Sequence, residues 1–365
     1  GKAVCAILGA SIDEQVHYPT SSARSWVGML KAALQGPAGS PADGGSGFVG
    51  VNYAAIYQAP GFASYATEYV NDPMFVAASA GWAVGTAHDG PGVEQLQSNT
   101  SGDTITWKNI RGTTITVFFF KFVPAGGNSG GLWTPAIDGT SQAQQTCAGG
   151  TPTNGDGAGN PAQVSFASSA GAHIVAVTNN STGATVYAFI EGVSGENASG
   201  VIVNNFAAGS RASGDYVTGS SPILNGGSSY PCDLAIYSLA ANDAIGNVTD
   251  DTWESNVRVS LDAIRAGKSG QTDLVILMHH IGTADGSSHY WNKYVMRARG
   301  IAEAYGAALI NPWAMLRNNY AYAQALGYFG NQAAPGAAGT DFIHPGDAGH
   351  QFIFNAVAPL LTAAA

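Results

Sequence analysis

The first part of the chain places one apolar run before one polar turn. Val4–Leu8 has the length and composition of a buried strand, and it stops on the small residues Gly9–Ser11, with an acid at Asp13. In the next segment, 21–35, apolar residues recur at the spacing of one helical face, at Trp26, Met29, Leu30, Ala33 and Leu34. The pattern predicts a strand, a turn and a helix in succession. Residues 36–50, rich in Gly, Pro and Ser, have no period and are predicted to be a loop.

A different pattern occupies residues 85–198. Short runs rich in Thr, Val and aromatic residues are separated by Gly and Asn turns, and the runs are TITWKNI, TTITVFFFKFV, GLWTPAID, QVSFASS, HIVAVTN and ATVYAFIEGV. Short strands at such intervals, with no helical segment among them, are typical of a β-sandwich. We therefore predict an all-β domain, of the jelly-roll type, inserted over 85–198.

Strands and helices alternate again after residue 199. The predicted strands are GVIVNNFAAG, DLAIYSLAAND, DLVILMHH and AALINPW, and the predicted helices are TWESNVRVSLDAIRAG, YWNKYVMRARGIAEAYG and DAGHQFIFNAVAPLLTA. Such alternation is typical of a parallel sheet with helices on both faces. The prediction is a discontinuous α/β domain, made of residues 1–84 and 199–365.

The composition limits the function classes. Charged residues make up 10% of the 365 positions, with 14 basic against 24 acidic side chains, whereas soluble domains usually carry about 25%. Without a Lys/Arg cluster, binding to nucleic acid or to an anionic membrane surface is not expected. The longest apolar run, ITVFFFKFV, contains Lys121 and is shorter than the roughly 20 residues of a membrane span. Because the chain begins with Gly1 almost inside a strand, we expect that an export signal or a preceding domain has been trimmed.

The three cysteines allow at most one disulfide. Cys5 falls inside the first predicted strand and is expected to be a core residue. Cys147 and Cys232 are able to pair in an oxidising compartment, and the sequence leaves that pairing open.

Four polar segments follow predicted strands or precede the last helix: GASID, FAAGSRAS, LAAND and DFIHPGDAGH. In a parallel sheet these strand ends lie along one edge, where open α/β folds carry their chemistry. A serine, an asparagine and an Asp/His pair would meet there. A serine hydrolase needs a nucleophilic hydroxyl, an imidazole, a carboxylate and donors for an oxyanion.

These four segments resemble the blocks of the SGNH (GDSL-type) hydrolase family, which carry Ser, Gly, Asn and His in this chain order. The resemblance covers about residues 1 to 60 and 199 to 365. It implies a flavodoxin-like three-layer α/β fold and a catalytic triad of Ser11, Asp341 and His344. It also implies an oxyanion hole made by the Ser11 backbone N–H, Gly209 and Asn242, and no cofactor. The register of Gly209 is open by one to three residues.

Two positions depart from the family pattern. The first block usually has an acid before the serine and here has Ala10, and the third usually has a glycine where this chain has Ala240. Neither change removes a catalytic atom. The β insertion between Ser11 and Gly209 resembles the inserts of some SGNH enzymes that act on polysaccharides or belong to bacteriophage tails.

The Asp-x-x-His pattern occurs twice, at Asp341 with His344 and at Asp347 with His350. Because Pro345 suits the first turn of a helix, the first pair is predicted to lie in the preceding loop. Asp347 then falls in the first helical turn, where a carboxylate favours the helix dipole. His350 is expected on the surface of the helix or in the core.

Two other groups of residues have a structural and a functional interpretation. His279, His280 and His289 match no metal-ligand spacing with a mechanism, so they are predicted to be a strand end at the rim of the site. Trp82, Trp107 and Trp133 are predicted to pack in the core, with stacking on sugar rings as the alternative.

The expected function is hydrolysis of carboxylic esters, with acetyl or other short acyl groups on carbohydrate as the preferred substrate. The β insertion would then serve carbohydrate binding or substrate choice, and the protein would be secreted or carried on a virion. The alternative is a glycan-binding or adhesion module on a degenerate hydrolase scaffold. The sequence does not give the oligomeric state.

Overall fold

The computed structural model describes residues 1–14, 21–54, 74, 76–85, 94–122, 129–150, 159–217, 231–279, 291–330 and 343–362. The described residues form two compact units. The β unit comprises those of Gly1–Ala3 and Ala38–Asn204, and the α/β unit those of Val4–Pro37, Asn205–Val217 and Pro231–Ala365.

One five-stranded sheet organises the α/β unit, and two of its strands, Lys2–Leu8 and Gly200–Asn205, cross the boundary between the two units along the chain. Its strands are β1 (Lys2–Leu8), β15 (Gly200–Asn205), β16 (Leu234–Tyr237), β17 (Asp273–Leu277) and β18 (Ala308–Ile310). The α-helices are α1 (Trp26–Gln35), α2 (Ala241–Ile245), α3 (Asp250–Ala266), α4 (Trp291–Tyr305), α5 (Pro312–Met315), α6 (Tyr320–Ala325) and α7 (Asp347–Thr362). Short 3-10 helices span Ser22–Arg24 and Ser213–Tyr216.

The strand order is β15-β1-β16-β17-β18, and β1, β16, β17 and β18 pair in parallel. Counted along the chain, this is the order 2-1-3-4-5 of flavodoxin-like folds, which confirms the predicted fold class. Helix α1 packs on α7, and α3 packs on α4. In such folds the strand order reverses between the first and third strands, here β1 and β16, and ligands bind at that point.

Antiparallel sheets build the β unit. Its strands are β2 (Gly47–Gly50), β3 (Val76–Ala78), β4 (Ala83–Val84), β5 (Leu96–Ser98), β6 (Thr104–Arg111), β7 (Thr114–Phe122), β8 (Ser129–Gly130), β9 (Leu132–Ile137), β10 (Thr140–Ser141), β11 (Gln145–Thr146), β12 (Gly159–Ala167), β13 (Ala172–Asn179) and β14 (Val186–Glu196). One sheet runs β10-β9-β13-β6-β3 with β11 beside β9, and the other runs β12-β7-β14-β5-β4 with β2 and β8 beside β14. A 3-10 helix spans Val51–Tyr53.

The β unit begins earlier in the chain than residue 85, because β2, β3 and β4 belong to its sheets. The prediction that residues 36–50 are a loop is wrong for Gly47–Gly50, which pairs antiparallel with residues 192–195 of β14. Backbone pairing needs no period of side chains, so a glycine-rich strand leaves no hydrophobic pattern. Gly47 has a φ of 64°, and a Cβ there would lie 2.4 Å from Val203 O.

Aromatic side chains fill the core of the β unit. Trp82, Trp107 and Trp133 have at most 1% of their surface exposed, so they pack in the core and do not present rings to a sugar. The three cysteines are free and buried, and the Cys147–Cys232 pairing that the sequence left open is not formed. Burial raises the pKa of Cys5 and of Cys147 to about 12. Within the described ranges, the helices are too short or too polar to cross a membrane.

Candidate active site

Ser11 lies in a tight turn directly after β1. The turn is closed by a hydrogen bond from Asp13 N–H to Ala10 O of 2.9 Å, so Ser11 and Ile12 are its two central residues. Ala10 and Ile12 are buried, whereas Ser11 is partly exposed. The Ser11 Oγ lies 2.8 Å from His344 Nε2. A hydroxyl and an imidazole at this distance have the geometry of a nucleophile with its general base.

Backbone hydrogen bonds hold the His344 loop. Gly330 N–H donates to His344 O at 2.8 Å, and Gly346 N–H donates to Tyr328 O at 2.9 Å. These bonds flank an antiparallel bridge between Phe329 and Pro345. The backbone is therefore fixed at His344 and at the two residues after it, and α7 begins directly afterwards. Asp341, the predicted third member of the triad, lies outside the described residues.

Close packing of α7 against this bridge requires a glycine. A Cβ at Gly349 would lie 2.2 Å from Tyr328 O, the same carbonyl that accepts from Gly346. We expect Gly349→Ala to lower the free energy of unfolding by about 1–3 kcal/mol, as overpacking does, and to lower kcat by displacing the His344 loop. Gly300→Ala is the matched control, since its Cβ would meet nothing within 4 Å on α4. Urea unfolding and esterase kinetics check both variants, and equal stability of the two would contradict the packing argument.

The predicted oxyanion donors lie at neighbouring strand ends. Ala208 N–H donates to Gly9 O at 3.3 Å, which places Gly209 beside the turn that carries Ser11. Asn242 lies in the short helix α2 after β16, and its Nδ2 donates to Arg211 O at 2.8 Å. Because an amide nitrogen carries two N–H donors, the bond to Arg211 fixes the orientation of the side chain and uses one of them.

A buried carboxylate joins α2 to the segment after Gly209. Asp243 accepts from Ser213 N–H, at 2.9 Å to one of its oxygens, and from Ser213 Oγ, at 2.5 Å to the other. Burial raises the pKa of Asp243 to about 6, although the bonds from Ser213 lower it. This contact ties the segment before Ser213 to the helix that carries Asn242.

The two Asp-x-x-His pairs are in different environments. His344 contacts Ser11, whereas His350 is buried in α7 and its Nδ1 accepts a hydrogen bond from Trp26 N–H of 3.3 Å. Trp26 is the first residue of α1, whose N-terminal N–H groups have no partner within the helix. His350 therefore supports the start of α1 and belongs to the core, one of its two predicted places.

Burial lowers the pKa of His350 to about 3, and the neighbouring His279 and His344 add to the effect. Since the unfolded chain then binds more protons, the neutral imidazole stabilises the protein above about pH 6.5, and this stability is lost as the pH falls towards 3. The loss for one proton is at most about 1.4 kcal/mol per pH unit. The Asn side chain of His350→Asn keeps an acceptor but does not titrate. Between pH 6.5 and 4 we therefore expect the free energy of unfolding, measured with urea, to fall less in this variant than in the wild type. An unchanged pH dependence would contradict this assignment.

Of the three histidines that remain as sequence candidates, the structure describes one. His279 follows β17, is 2% exposed and contacts Asp13 through Nε2 at 2.7 Å. His280 and His289 lie outside the described residues. In the part of the chain that the structure describes, no group of three or more His, Cys, Asp or Glu residues is arranged to hold a metal ion.

The sequence pattern assigned no role to Asp13 and Asp243, two buried carboxylates that accept hydrogen bonds from the segments around the site. Asp13 was visible as an acid two residues after Ser11, but the turn alone does not say what its side chain contacts. Asp243 stands next to Asn242 in LAAND, where the same pattern fits an ordinary helix start. Their partners are distant in sequence.

A parallel sheet in flavodoxin order, with a Ser–His pair at the end of its first strand, is the arrangement of an SGNH-type hydrolase. Residues 152–352, more than half of the chain, match the profile of the GDSL-like lipase/acylhydrolase family, and the protein belongs to that family. The matched span includes Asn242 and His344, and Ser11 lies before it. The protein is therefore an acylhydrolase of the esterase type.

Comparison with solved structures gives a match at the level of the fold. A structure described as "Peptidoglycan O-acetylesterase in action, 5 min" matches with a TM-score of 0.65 and 14% identity, covering 100% of this chain and 91% of that chain. A family two carbohydrate esterase from Clostridium thermocellum, in complex with cellohexaose, has a TM-score of 0.32 and 10% identity, covering 79% of this chain and 98% of the other. No curated protein matches the sequence significantly.

Proposed function

We propose that this protein hydrolyses carboxylic esters through an acyl-serine intermediate on Ser11. The observation that carries the proposal is the distance of 2.8 Å between Ser11 Oγ and His344 Nε2. A serine hydroxyl is a weak nucleophile unless an adjacent base accepts its proton, and the imidazole is within reach of that proton.

In the proposed mechanism, Ser11 Oγ attacks the ester carbonyl carbon while its proton passes to His344 Nε2. The carbonyl π electrons move to oxygen, and the oxyanion is stabilised by the N–H groups of Ser11 and Gly209 and by the Asn242 amide. The C–O bond to the alcohol breaks as His344 returns its proton to the leaving oxygen. Water, deprotonated by His344, then attacks the acyl-serine, and the acid leaves as Ser11 regains its proton. Asp341 is proposed to orient the imidazole.

The proposed substrates are short acyl groups, above all acetyl, on carbohydrate. The low content of charged residues supports a neutral partner over a strongly charged one. The peptidoglycan O-acetylesterase of the same fold acts, by its name, on O-acetyl groups of a glycan polymer. We propose that the β unit governs substrate choice. We also propose that the protein is secreted or carried on a virion, since such an enzyme meets glycan polymers outside the cytoplasm.

The test is acetate release by the purified chain from p-nitrophenyl acetate, O-acetylated peptidoglycan and acetylated xylan, with p-nitrophenyl palmitate as the long-chain comparison. We expect turnover of the acetyl esters and little of the palmitate. Diisopropyl fluorophosphate should label one residue, Ser11, identified by peptide mass spectrometry, and Ser11→Ala is the control. Labelling of a different serine would reject the mechanism, and faster turnover of palmitate would reject the substrate class.

A further inference from the structure

The carboxylate of Asp13 collects four hydrogen-bond donors beneath the turn that carries Ser11. Its Oδ2 accepts from Ala10 N–H at 3.1 Å and from Ser238 Oγ at 2.5 Å. Its Oδ1 accepts from Trp26 Nε1 at 3.0 Å and from His279 Nε2 at 2.7 Å. Asp13 itself is 1% exposed.

These donors come from separate elements of the α/β unit. Ala10 belongs to the turn after β1, Trp26 begins α1, Ser238 follows β16 and His279 follows β17. One side chain thus links the carboxyl ends of three neighbouring strands to the helix that follows the first. Hydrogen bonds to a charged acceptor are stronger than neutral ones, so these four bonds hold the Asp13 side chain in one orientation.

Two hydrogen bonds join Asp13 to Ala10, the residue before Ser11. Its own N–H closes the turn on Ala10 O, and its carboxylate accepts from Ala10 N–H. The carboxylate lies against Gly9, where a Cβ would be 2.1 Å from Oδ2. This explains the glycine at position 9, because the side chain of Asp13 occupies the place that a Cβ would need.

Both oxygens of Asp13 have to be acceptors. Ala10 N–H and the Trp26 indole N–H are donors that have no acceptor form, and each contacts a different oxygen. In an Asp13→Asn variant, either orientation of the amide therefore sets an N–H against an N–H. Ser238 and His279 are able to switch roles by rotating a hydroxyl or changing tautomer, but Ala10 and Trp26 are not.

We propose that Asp13 is a positioning residue for the esterase reaction, which holds the backbone of Ser11 so that its Oγ meets His344. The inference rests on the proposed function. Asp13 is buried and acts on Ser11 through the bond from its carboxylate to Ala10 N–H, and His279, Trp26 and Ser238 fix the orientation of that carboxylate.

The first experiment compares Asp13→Asn with wild type on p-nitrophenyl acetate, at a temperature where both are folded by circular dichroism. Since a displacement of about 1 Å in a catalytic group costs about 10²-fold, we expect kcat to fall about 100-fold with KM within about three-fold. The rate of inactivation by diisopropyl fluorophosphate should fall in parallel, because it reports the reactivity of Ser11 itself.

The matched control is Asp43→Asn in the β unit. Asp43 is also buried, and its two oxygens accept from Gly39 N–H at 2.8 Å and Gly45 N–H at 3.0 Å, so its amide variant meets the same donor conflict. We expect it to lose thermal stability while kcat and the inactivation rate stay within about two-fold of wild type. Equal losses of kcat in the two variants would mean that Asp13 acts only through general stability.

If Asp13→Asn does not fold, a second pair of variants tests whether the Asp13 carboxylate positions Ser11. His279→Gln keeps an N–H donor near the position of Nε2, whereas His279→Leu removes it. We expect kcat within about three-fold of wild type for the first and at least ten-fold lower for the second.

Equal kcat for the two His279 variants, or a folded Asp13→Asn with wild-type kcat, would overturn the inference. The proposed function fails separately, namely if Ser11→Ala retains esterase activity.

Discussion

Ser11→Ala is expected to lower kcat on p-nitrophenyl acetate by about 10⁴–10⁶-fold, the loss typical of removing a nucleophile from a serine hydrolase. His344→Ala should lower it about as severely, since the Ser11 oxygen is a poor nucleophile unless its proton is accepted. The double variant should be no worse than either single one, because the hydroxyl and the imidazole act as a unit. Steady-state kinetics, with circular dichroism as a check of folding, measures all three.

His350→Ala is the comparison for this series. Its imidazole contacts Trp26 N–H and not Ser11, so we expect a lower melting temperature and a kcat within a few-fold of wild type. If His350→Ala were inactive and His344→Ala active, Asp347 and His350 would be the catalytic pair. A Ser11→Ala variant that kept a tenth of wild-type activity would remove Ser11 from the mechanism.

Long periodic segments made the α/β unit predictable. Helices α3, α4 and α7 and the strands between them follow from alternating patterns, and right-handed crossover connections leave few ways to arrange them. Elements without a period were missed. Gly47–Gly50 pairs through its backbone alone, and α2, α5 and α6 have four to six residues each, too few for a helical repeat.

The Ser11–His344 contact was predictable for a different reason. Both residues stand at segments that a parallel sheet brings to one edge, so the fold itself predicts their meeting. The hydrogen bonds that Asp13 accepts were not predictable, because their donors are at positions 10, 26, 238 and 279 and no local pattern joins them. The same holds for the contact between Asp243 and Ser213, which depends on how two loops pack.

Asn242 tests the oxyanion hole independently of the nucleophile. One N–H of its amide is bonded to Arg211 O, which holds the side chain in place for the second to act on a developing oxyanion. We expect Asn242→Ala to lower kcat about 10²–10³-fold with little change in KM, because the donor acts mainly in the transition state. Asn242→Asp, which has a similar shape but no N–H donor, should be at least as slow.

A lower kcat in Asn242→Ala has an alternative explanation, namely that the segment 211–213 loosens when the bond to Arg211 is removed. Asn256→Ala separates the two, because Asn256 Nδ2 donates to Ser213 Oγ on the same segment at 2.9 Å and has no proposed contact with substrate. If Asn242 donates to the oxyanion, Asn256→Ala keeps kcat within a few-fold of wild type while Asn242→Ala does not. Similar losses in both variants would make Asn242 a support of the segment, and a rise in KM alone would make it a substrate-binding residue.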